Sequence, residues 1–171
     1  NSCFYAPMFA LTASDYVNLY GFTLFGSSGT GVVISGSSNI NTYGFDVTQS
    51  YGTGINVENN KNVTLTDTHI WDNKRSLPEK KYVGGGGLQI SYSDNILVKN
   101  LTLHQNWGEG FNIGRDSTNV VVKNSKFWEN AHTNILMNHA SNTLIDSNLL
   151  FCTGDRHDWF TLNKLKDNTP S

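Results

Sequence analysis

The sequence carries little charge for its length of 171 residues, since Asp, Glu, Lys and Arg together make up 15% of it, against about a quarter in average globular domains. Its formal net charge of −2 provides no basic surplus that would drive binding to a nucleic-acid backbone. No apolar run approaches the roughly 18 residues that a membrane span requires. We therefore expect one globular domain that is neither a nucleic-acid-binding nor a membrane-spanning protein.

Helical patterning is also missing, because no stretch of ten residues sustains the apolar spacing of an amphipathic helix. Turn-forming residues are abundant instead, with 22 asparagines and 16 glycines. Asparagine and glycine tolerate the left-handed backbone that tight turns require. The composition therefore predicts many short strands joined by frequent turns.

An internal repeat of about 23 residues runs along the chain. The successive steps between its marker asparagines are 23, 33, 24 and 23 residues. The markers stand in "SNI", "KNV", "DNI", "TNV" and "SNT": Asn39, Asn62, Asn95, Asn119 and Asn142. The one long step places its excess between Asn73 and Gly87, which we interpret as a loop inserted at residues 74–86.

Apolar residues occupy fixed positions of each repeat and alternate with polar ones, which is the pattern of strands. In the last segment of each unit one column holds Val32, Ile55, Leu88, Phe111 and Ile135, and the next holds Ile34, Val57, Ile90, Ile113 and Met137. Units this short bury an apolar face only by stacking on copies of themselves. The fold class is therefore all-β, a right-handed parallel β-helix with three strands per coil and about six coils.

A polar column should stack inside one turn of this coil, where side-chain amides can hydrogen-bond from one coil to the next. It contains Ser27, Ser50, Asn73, Asn106, Asn130 and Thr153.

Three segments carry a family resemblance: "NVTLTDTHIWDN", "NILVKNLTLHQNWGEGFNI" and "NVVVKNSKFWENAHTNILM". They resemble the repeats of right-handed parallel β-helix proteins with the pectin-lyase-like fold, over roughly residues 11–153. That family includes polysaccharide lyases, glycoside hydrolases, epimerases, phage tailspikes and adhesins. The resemblance implies a carbohydrate-related role and a secreted, extracellular or periplasmic location, without selecting one activity.

The repeat also predicts how the chain is organised. We expect residues 1–153 to form the β-helix with its loop at 74–86, followed at 154–171 by an irregular tail or the start of a further insertion. Because the chain enters the repeat without a capping helix, we expect it to be part of a longer solenoid. Cys3 and Cys152 should lie about six coils, on the order of 29 Å, apart, too far for a disulfide.

Two residues of the segment "WGEG" stand out from the repeat. Glu109 occupies a position that holds threonine in three other units, and Trp107 precedes it beside the inserted loop. We expect Glu109 to be the main general acid or base, with Asp72 or His132 as its partner. Trp107 is expected to stack on a sugar ring.

The inserted loop should form a wall beside the strands that close each unit, and so create a groove. Lys80 on that wall would suit an acidic polysaccharide, while Gln89 and Asn112 on the floor would bind sugar hydroxyls. Arg115 at the next corner is a further candidate for substrate binding. A solvated loop of charged residues and an ordinary Arg–Asp turn are the alternative interpretations.

Three further groupings share a column, and each has a structural interpretation beside the functional one. One is an acid pair, Asp72 with Glu129, about 9.6 Å apart across two coils. Another is Asp46 with His69 on neighbouring coils, for which stacked surface polarity is the alternative. The last is an aromatic platform for sugars, or merely bulky residues before a turn, and consists of Trp71, His104 and Trp128.

The leading functional hypothesis is a secreted carbohydrate-active enzyme, either a glycoside hydrolase or a polysaccharide lyase. The rival hypothesis is a non-catalytic β-helix, such as an adhesin, a fibre or a carbohydrate-binding protein. We expect a carbohydrate partner and no resident metal or cofactor, except that a lyase could use Ca²⁺. The substrate and the oligomeric state stay open.

Overall fold

The computed structural model describes residues 6–74 and 86–153. These residues form eighteen short β-strands and no helix. The described part of the chain therefore contains no helix that is long and apolar enough to cross a membrane. The strands follow one another around six stacked coils, each with three strands. Lys80, Cys3 and the segment 154–171 lie outside the described residues.

Each coil contributes one strand to each of three parallel sheets of six strands. Sheet 1 consists of β1 (Phe9–Thr12), β4 (Val32–Ser35), β7 (Ile55–Glu58), β10 (Leu88–Ser91), β13 (Phe111–Gly114) and β16 (Ile135–Asn138). Sheet 2 consists of β2 (Asp15–Tyr20), β5 (Ser38–Tyr43), β8 (Lys61–Thr66), β11 (Asp94–Lys99), β14 (Thr118–Lys123) and β17 (Leu144–Asp146). Sheet 3 consists of β3 (Thr23–Phe25), β6 (Asp46–Thr48), β9 (His69–Trp71), β12 (Thr102–His104), β15 (Lys126–Trp128) and β18 (Leu149–Phe151).

The register between coils confirms the predicted β-helix. In sheet 1 Leu88 pairs with Ile55 of the preceding coil and with Phe111 of the following one. Alternate residues of the central strands point inward, and the apolar side chains at these positions are fully buried, as with Ile34 and Ile90. The core is thus a stack of aliphatic and aromatic layers enclosed by the three sheets, and polar side chains face outward between them.

The backbone explains why asparagine marks the repeat. Asn39, Asn62 and Asn95 adopt left-handed conformations with φ of 56°, 57° and 57°, which asparagine tolerates better than most residues. Their amides also form a ladder along the surface, since Asn62 Nδ2 donates to Asn39 Oδ1 at 2.9 Å and Asn95 Nδ2 to Asn62 Oδ1 at 2.8 Å. The marker is therefore a feature of the scaffold.

A second asparagine ladder is buried in the turn from sheet 3 to sheet 1, which we call the 3–1 corner. It confirms the polar column expected from the repeat. The Oδ1 atoms of Asn106 and Asn130 each accept the backbone N–H of the preceding coil's column residue, both at 3.1 Å. The 3–1 corner comprises residues 26–31, 49–54, 72–74 with 86–87, 105–110 and 129–134.

The two ends of the inserted loop follow the neighbouring corners. The backbone N–H of Lys74 donates to Gly52 O at 2.8 Å, and Gly86 O accepts from Gly54 N at 3.0 Å. Lys74 and Gly86, which the repeat had assigned to the insertion, thus lie in the stacked corner. Near the other end of the described chain Cys152 is a free, exposed thiol.

Candidate functional site

Glu109 lies in the 3–1 corner of the fourth coil, two residues before β13. Its backbone packs directly on the coil below, because a Cβ atom at Gly86 would come within 2.3 Å of Glu109 O. No side chain fits at Gly86 without displacing this backbone. The glycine beneath Glu109 therefore allows the coils to approach closely where the acid departs from the repeat.

Two further ionisable side chains interact with Glu109 in this corner. Glu109 is buried, 7% exposed, and its Oε1 lies 3.5 Å from Nδ1 of His132 on the next coil. Burial lowers the pKa of Lys74 on the preceding coil, and the negative charge of Glu109 partly opposes that shift. The structure thus brings together Glu109 and the predicted partner His132, and adds Lys74.

The exposure of the two paired groups differs in a way that matters for chemistry. The side chain of His132 is 45% exposed, whereas that of Glu109 is 9% exposed. An imidazole that is oriented by a buried carboxylate is an arrangement suited to general base catalysis. The sequence pattern had suggested the opposite assignment, with Glu109 as the main acid or base.

Asp72 and its column share a backbone conformation. Asp72, Gln105 and Glu129 adopt φ of 50°, 54° and 52° at the same point of successive corners. The carboxylate of Glu129 is buried and accepts hydrogen bonds from the backbone N–H and the hydroxyl of Thr153, the former at 3.2 Å. The column therefore shares a left-handed backbone, the carboxylate of Glu129 has a structural partner, and the catalytic role of Asp72 stays a prediction.

The outer face of sheet 1 beside the corner carries a row of amides. Asn56, Gln89 and Asn112 lie side by side on β7, β10 and β13 and are all half-buried. Asn56 donates to Glu58 Oε2 at 3.4 Å. The Oδ1 atoms of Asn56 and Asn112 accept no hydrogen bond from the described residues. The repeat predicted that these residues lie side by side, and their role as the floor of a groove stays a prediction.

The predicted substrate-binding residues Trp107 and Arg115 lie at opposite ends of the strands of sheet 1. Trp107 is half-buried in the corner of Glu109, and its backbone N–H donates to Asn73 O at 3.0 Å. Arg115 is exposed at the far end of β13 with φ of 49°. The length of that strand, about 13 Å, separates it from the 3–1 corner. Arg115 therefore lies apart from the cluster around Glu109.

On sheet 3 the predicted aromatic column forms a continuous stack. The centroid distances are 6.1 Å between Trp71 and His104, 4.2 Å between His104 and Trp128, and 5.2 Å between Trp128 and Phe151, with planes within 15° of parallel. The rings direct their faces at one another along the coil axis. Stacking within the protein thus occupies surfaces that a sugar ring would need.

A chain of polar contacts runs across the same sheet. His69 Nε2 lies 2.9 Å from His104 Nε2, His69 Nδ1 lies 3.5 Å from Asp46 Oδ1, and His104 Nδ1 lies 3.0 Å from Gln105 Oε1. Burial lowers the pKa of both histidines, that of His104 to about 4, where the neighbouring His69 adds to the effect. Column spacing had linked Asp46 with His69 but had not linked either of them to His104.

Comparison with known proteins identifies the architecture. Residues 9–156 match the family described as a right handed beta helix region. Among solved structures, the periplasmic alginate epimerase AlgG aligns over 84% of this chain and 36% of its own with a TM-score of 0.70 and 12% identity. Tailspike protein 2 of an Escherichia coli O157:H7 bacteriophage aligns over 82% of this chain and 21% of its own, with a TM-score of 0.61 and 15% identity.

These structural likenesses are too low in sequence identity to show more than the fold. No curated protein sequence matches the chain. The chain spans about a third or less of the length of these two solved proteins.

Proposed function

The chain belongs to the right-handed β-helix family, and we propose that it acts on a polysaccharide at the outer face of sheet 1, outside the cytoplasm. One structural neighbour supports a carbohydrate partner, and a second supports an enzymatic activity. One is a periplasmic alginate epimerase, and the other is a tailspike protein with an enzymatically active domain. The location follows the same reasoning, since the first of these is periplasmic and the second belongs to a virus particle.

The observation that carries the proposal is the His132–Glu109 pair at 3.5 Å. Glu109, buried in the corner, orients the imidazole through Nδ1. Nε2, the ring nitrogen that does not face Glu109, then serves as general base toward a substrate lying on sheet 1. His132 is in this assignment the catalytic residue, and Glu109 is a positioning residue.

This pair fits β-elimination on a uronate sugar better than hydrolysis. In elimination the base removes the C5 proton, the bond from C4 to the glycosidic oxygen breaks, a C4=C5 double bond forms, and the leaving oxygen takes up a proton. Glycosidases instead employ two carboxylates about 5–9.5 Å apart. The partner of Glu109 is an imidazole, so we favour a polysaccharide lyase over a glycoside hydrolase.

The surrounding side chains have roles that follow from their chemistry. Lys74, which interacts electrostatically with Glu109, would offset the negative charge that develops on the uronate carboxylate. A Ca²⁺ ion is the alternative source of the compensating positive charge. Gln89 and Asn112 would hydrogen-bond sugar hydroxyls, and Trp107 would pack on a ring face. The binding of more distant sugars of an acidic polysaccharide by Lys80 and Arg115 stays a prediction.

The test is incubation of the full chain with a panel of acidic and neutral polysaccharides, followed by ultraviolet absorbance of the unsaturated sugar and by a reducing-end assay. We expect both signals to rise with a uronate polymer. His132→Gln should lower the rate at least about 100-fold while polymer binding is retained. His139→Asn, which removes an exposed histidine at another corner, should leave the rate unchanged.

The other outcomes discriminate between the remaining hypotheses. Reducing ends without absorbance, with Glu109→Gln as the more damaging variant, would indicate a glycoside hydrolase and contradict our assignment of roles. Polymer binding without turnover on any substrate would identify a non-catalytic adhesin, fibre or carbohydrate-binding protein.

A further inference from the structure

Two tyrosines project from neighbouring coils on the outer face of sheet 2. Tyr20 ends β2 and Tyr43 ends β5, and the two residues pair in the parallel register. Tyr20 is 68% exposed and Tyr43 is 50% exposed. Because Tyr43 lies on an inner coil, between Tyr20 and Thr66, its exposure belongs to the outer face of the sheet and not to the end of the coil stack.

The faces of the two tyrosine rings remain open. Their centroids are 6.4 Å apart and their planes are tilted by 48°, so neither ring covers the other. The aromatic stack of sheet 3 differs, because His104 and Trp128 lie 4.2 Å apart within 10° of parallel and occupy each other's faces. The tyrosine pair therefore keeps the flat apolar surface on which the C–H groups of a sugar ring can pack.

A polar network holds Tyr43 in place. A hydrogen bond to Asp67 and the negative charge of that carboxylate raise the pKa of Tyr43. Asp67 Oδ1 also accepts a hydrogen bond from Asn100 Nδ2 at 2.8 Å. A ring that is fixed before a ligand arrives loses little conformational freedom on binding, which favours affinity.

The surface beside the tyrosines is polar. Asn18 and Asn41 precede Tyr20 and Tyr43 by two residues, so they lie on the same face of the sheet. Both asparagines are exposed, and Asn41 Nδ2 donates to Asn18 Oδ1 at 2.9 Å. Amide groups next to open aromatic faces suit a pyranose, which has an apolar ring face and hydroxyls at its rim. An apolar protein surface would leave these amides without partners.

The charge beside the tyrosines favours one class of sugar. The carboxylate of Asp67 lies at the hydroxyl of Tyr43. A uronate on the rings would meet a like charge, whereas the hydroxyls of a neutral sugar can donate to the carboxylate. Lys99, which belongs to the same row of sheet 2, lies two coils beyond Tyr43, about 9.6 Å away along the stack.

We propose that Tyr20 and Tyr43 form a binding site for a neutral saccharide chain, on a different sheet from the candidate site at Glu109. Rings on neighbouring coils can contact successive sugar units of one chain, with Asn18 and Asn41 as hydrogen-bonding partners. The proposal rests on the proposed function in its choice of a carbohydrate partner, but it requires no catalysis.

The test is affinity electrophoresis of the full chain in gels that contain galactomannan, dextran or hydroxyethyl cellulose as neutral probes, and alginate as the uronate probe. We expect retardation by a neutral polymer. Tyr20→Ala and Tyr43→Ala should each weaken that binding at least about fivefold. Tyr43→Phe, which keeps the ring, should retain most of the affinity. The control Phe25→Ala, which removes an exposed ring from sheet 3, should leave it unchanged.

The exposed positions of both tyrosines make the alanine variants compatible with folding, which thermal unfolding checks. Retardation by none of the neutral polymers, or unchanged affinity in the folded alanine variants, would overturn the proposal. So would dimerisation in sedimentation experiments that Tyr43→Ala abolishes without any effect on polymer binding, since the face would then bind a second copy of the chain. Retardation that depends on Tyr43 in a protein without turnover on any polymer would support this site and contradict the proposed function.

Discussion

Replacement of Asn106 by alanine tests whether the buried asparagine ladder holds the 3–1 corners together. Asn106 is fully buried. Its Nδ2 donates to Ile70 O at 3.2 Å, to His104 O at 2.9 Å and to Asn130 Oδ1 at 3.0 Å. Its Oδ1 accepts from the backbone N and from Nδ2 of Asn73, both at 3.1 Å. Alanine removes all five contacts.

The loss of stability is estimated from the polar groups that lose a hydrogen-bond partner. The backbone N–H of Asn73 loses its acceptor, and the carbonyls of Ile70 and His104 lose a donor, in an interior closed to water. An orphaned buried polar group costs about 1–3 kcal/mol, and the space vacated by the amide adds a smaller penalty. We expect Asn106→Ala to lower the free energy of unfolding by about 3–5 kcal/mol.

The matched control is Asn95→Gly in the surface ladder. Asn95 is exposed, adopts φ of 57°, and donates one side-chain hydrogen bond, to Asn62. Glycine tolerates that backbone, so the change should stay within about 0.5 kcal/mol. Urea unfolding followed by both tryptophan fluorescence and far-ultraviolet circular dichroism gives the two values. A loss below about 1 kcal/mol for Asn106→Ala, or one no larger than the control, would refute the reasoning.

Two further predictions concern the corners and acid stability. Gly87→Ala should destabilise the chain by about 1–3 kcal/mol in urea unfolding, because the new Cβ would lie 2.6 Å from Gly110 O. The control Gly36→Asn should be tolerated, because this position has φ of 59° and a new Cβ there would lie 4.0 Å from the nearest atom. Equal losses of stability in the two variants would contradict this prediction. The His104 pKa of about 4 lies below its usual value of about 6.5, so the unfolded chain binds the proton more tightly. The contribution of His104 to stability is therefore complete above about pH 6.5 and lost as the pH falls toward 4, and thermal unfolding of His104→Gln should show a smaller loss over that interval.

The fold could be predicted because stacking repeats every contact at a fixed spacing. Leu88 meets Ile55 and Phe111 because they hold the same place in successive coils, and a count of residues finds that place. Even the ten extra residues between Asn73 and Gly87 leave the columns intact, since both ends of the insertion return to the corner. The sequence could not explain the marker asparagines, whose cause is the left-handed backbone at positions such as Asn62.

The spacing could predict which residues meet at the candidate site, whereas their catalytic roles stay predictions. The spacing placed Glu109 and His132 in one corner, because corners stack as strands do. It could not predict that the carboxylate is buried and the imidazole exposed, since this depends on side-chain direction. The column of Asp72 and Glu129 suggested an acid pair, yet the carboxylate of Glu129 accepts hydrogen bonds from Thr153.

The facing histidines show why a search for departures from the repeat is incomplete. Glu109 was noticed because threonine is usual at its position, whereas His104 fits an aromatic column and stacks on Trp128 at 4.2 Å. Its planar ring satisfies the packing, and its nitrogens remain available for the contacts with His69 and Gln105. In a stacked fold, residues that match a column in shape but differ in chemistry therefore need the same scrutiny as residues that break it. An imidazole among indoles is such a residue, because stacking on Trp128 fixes the direction of its nitrogens toward His69 and Gln105.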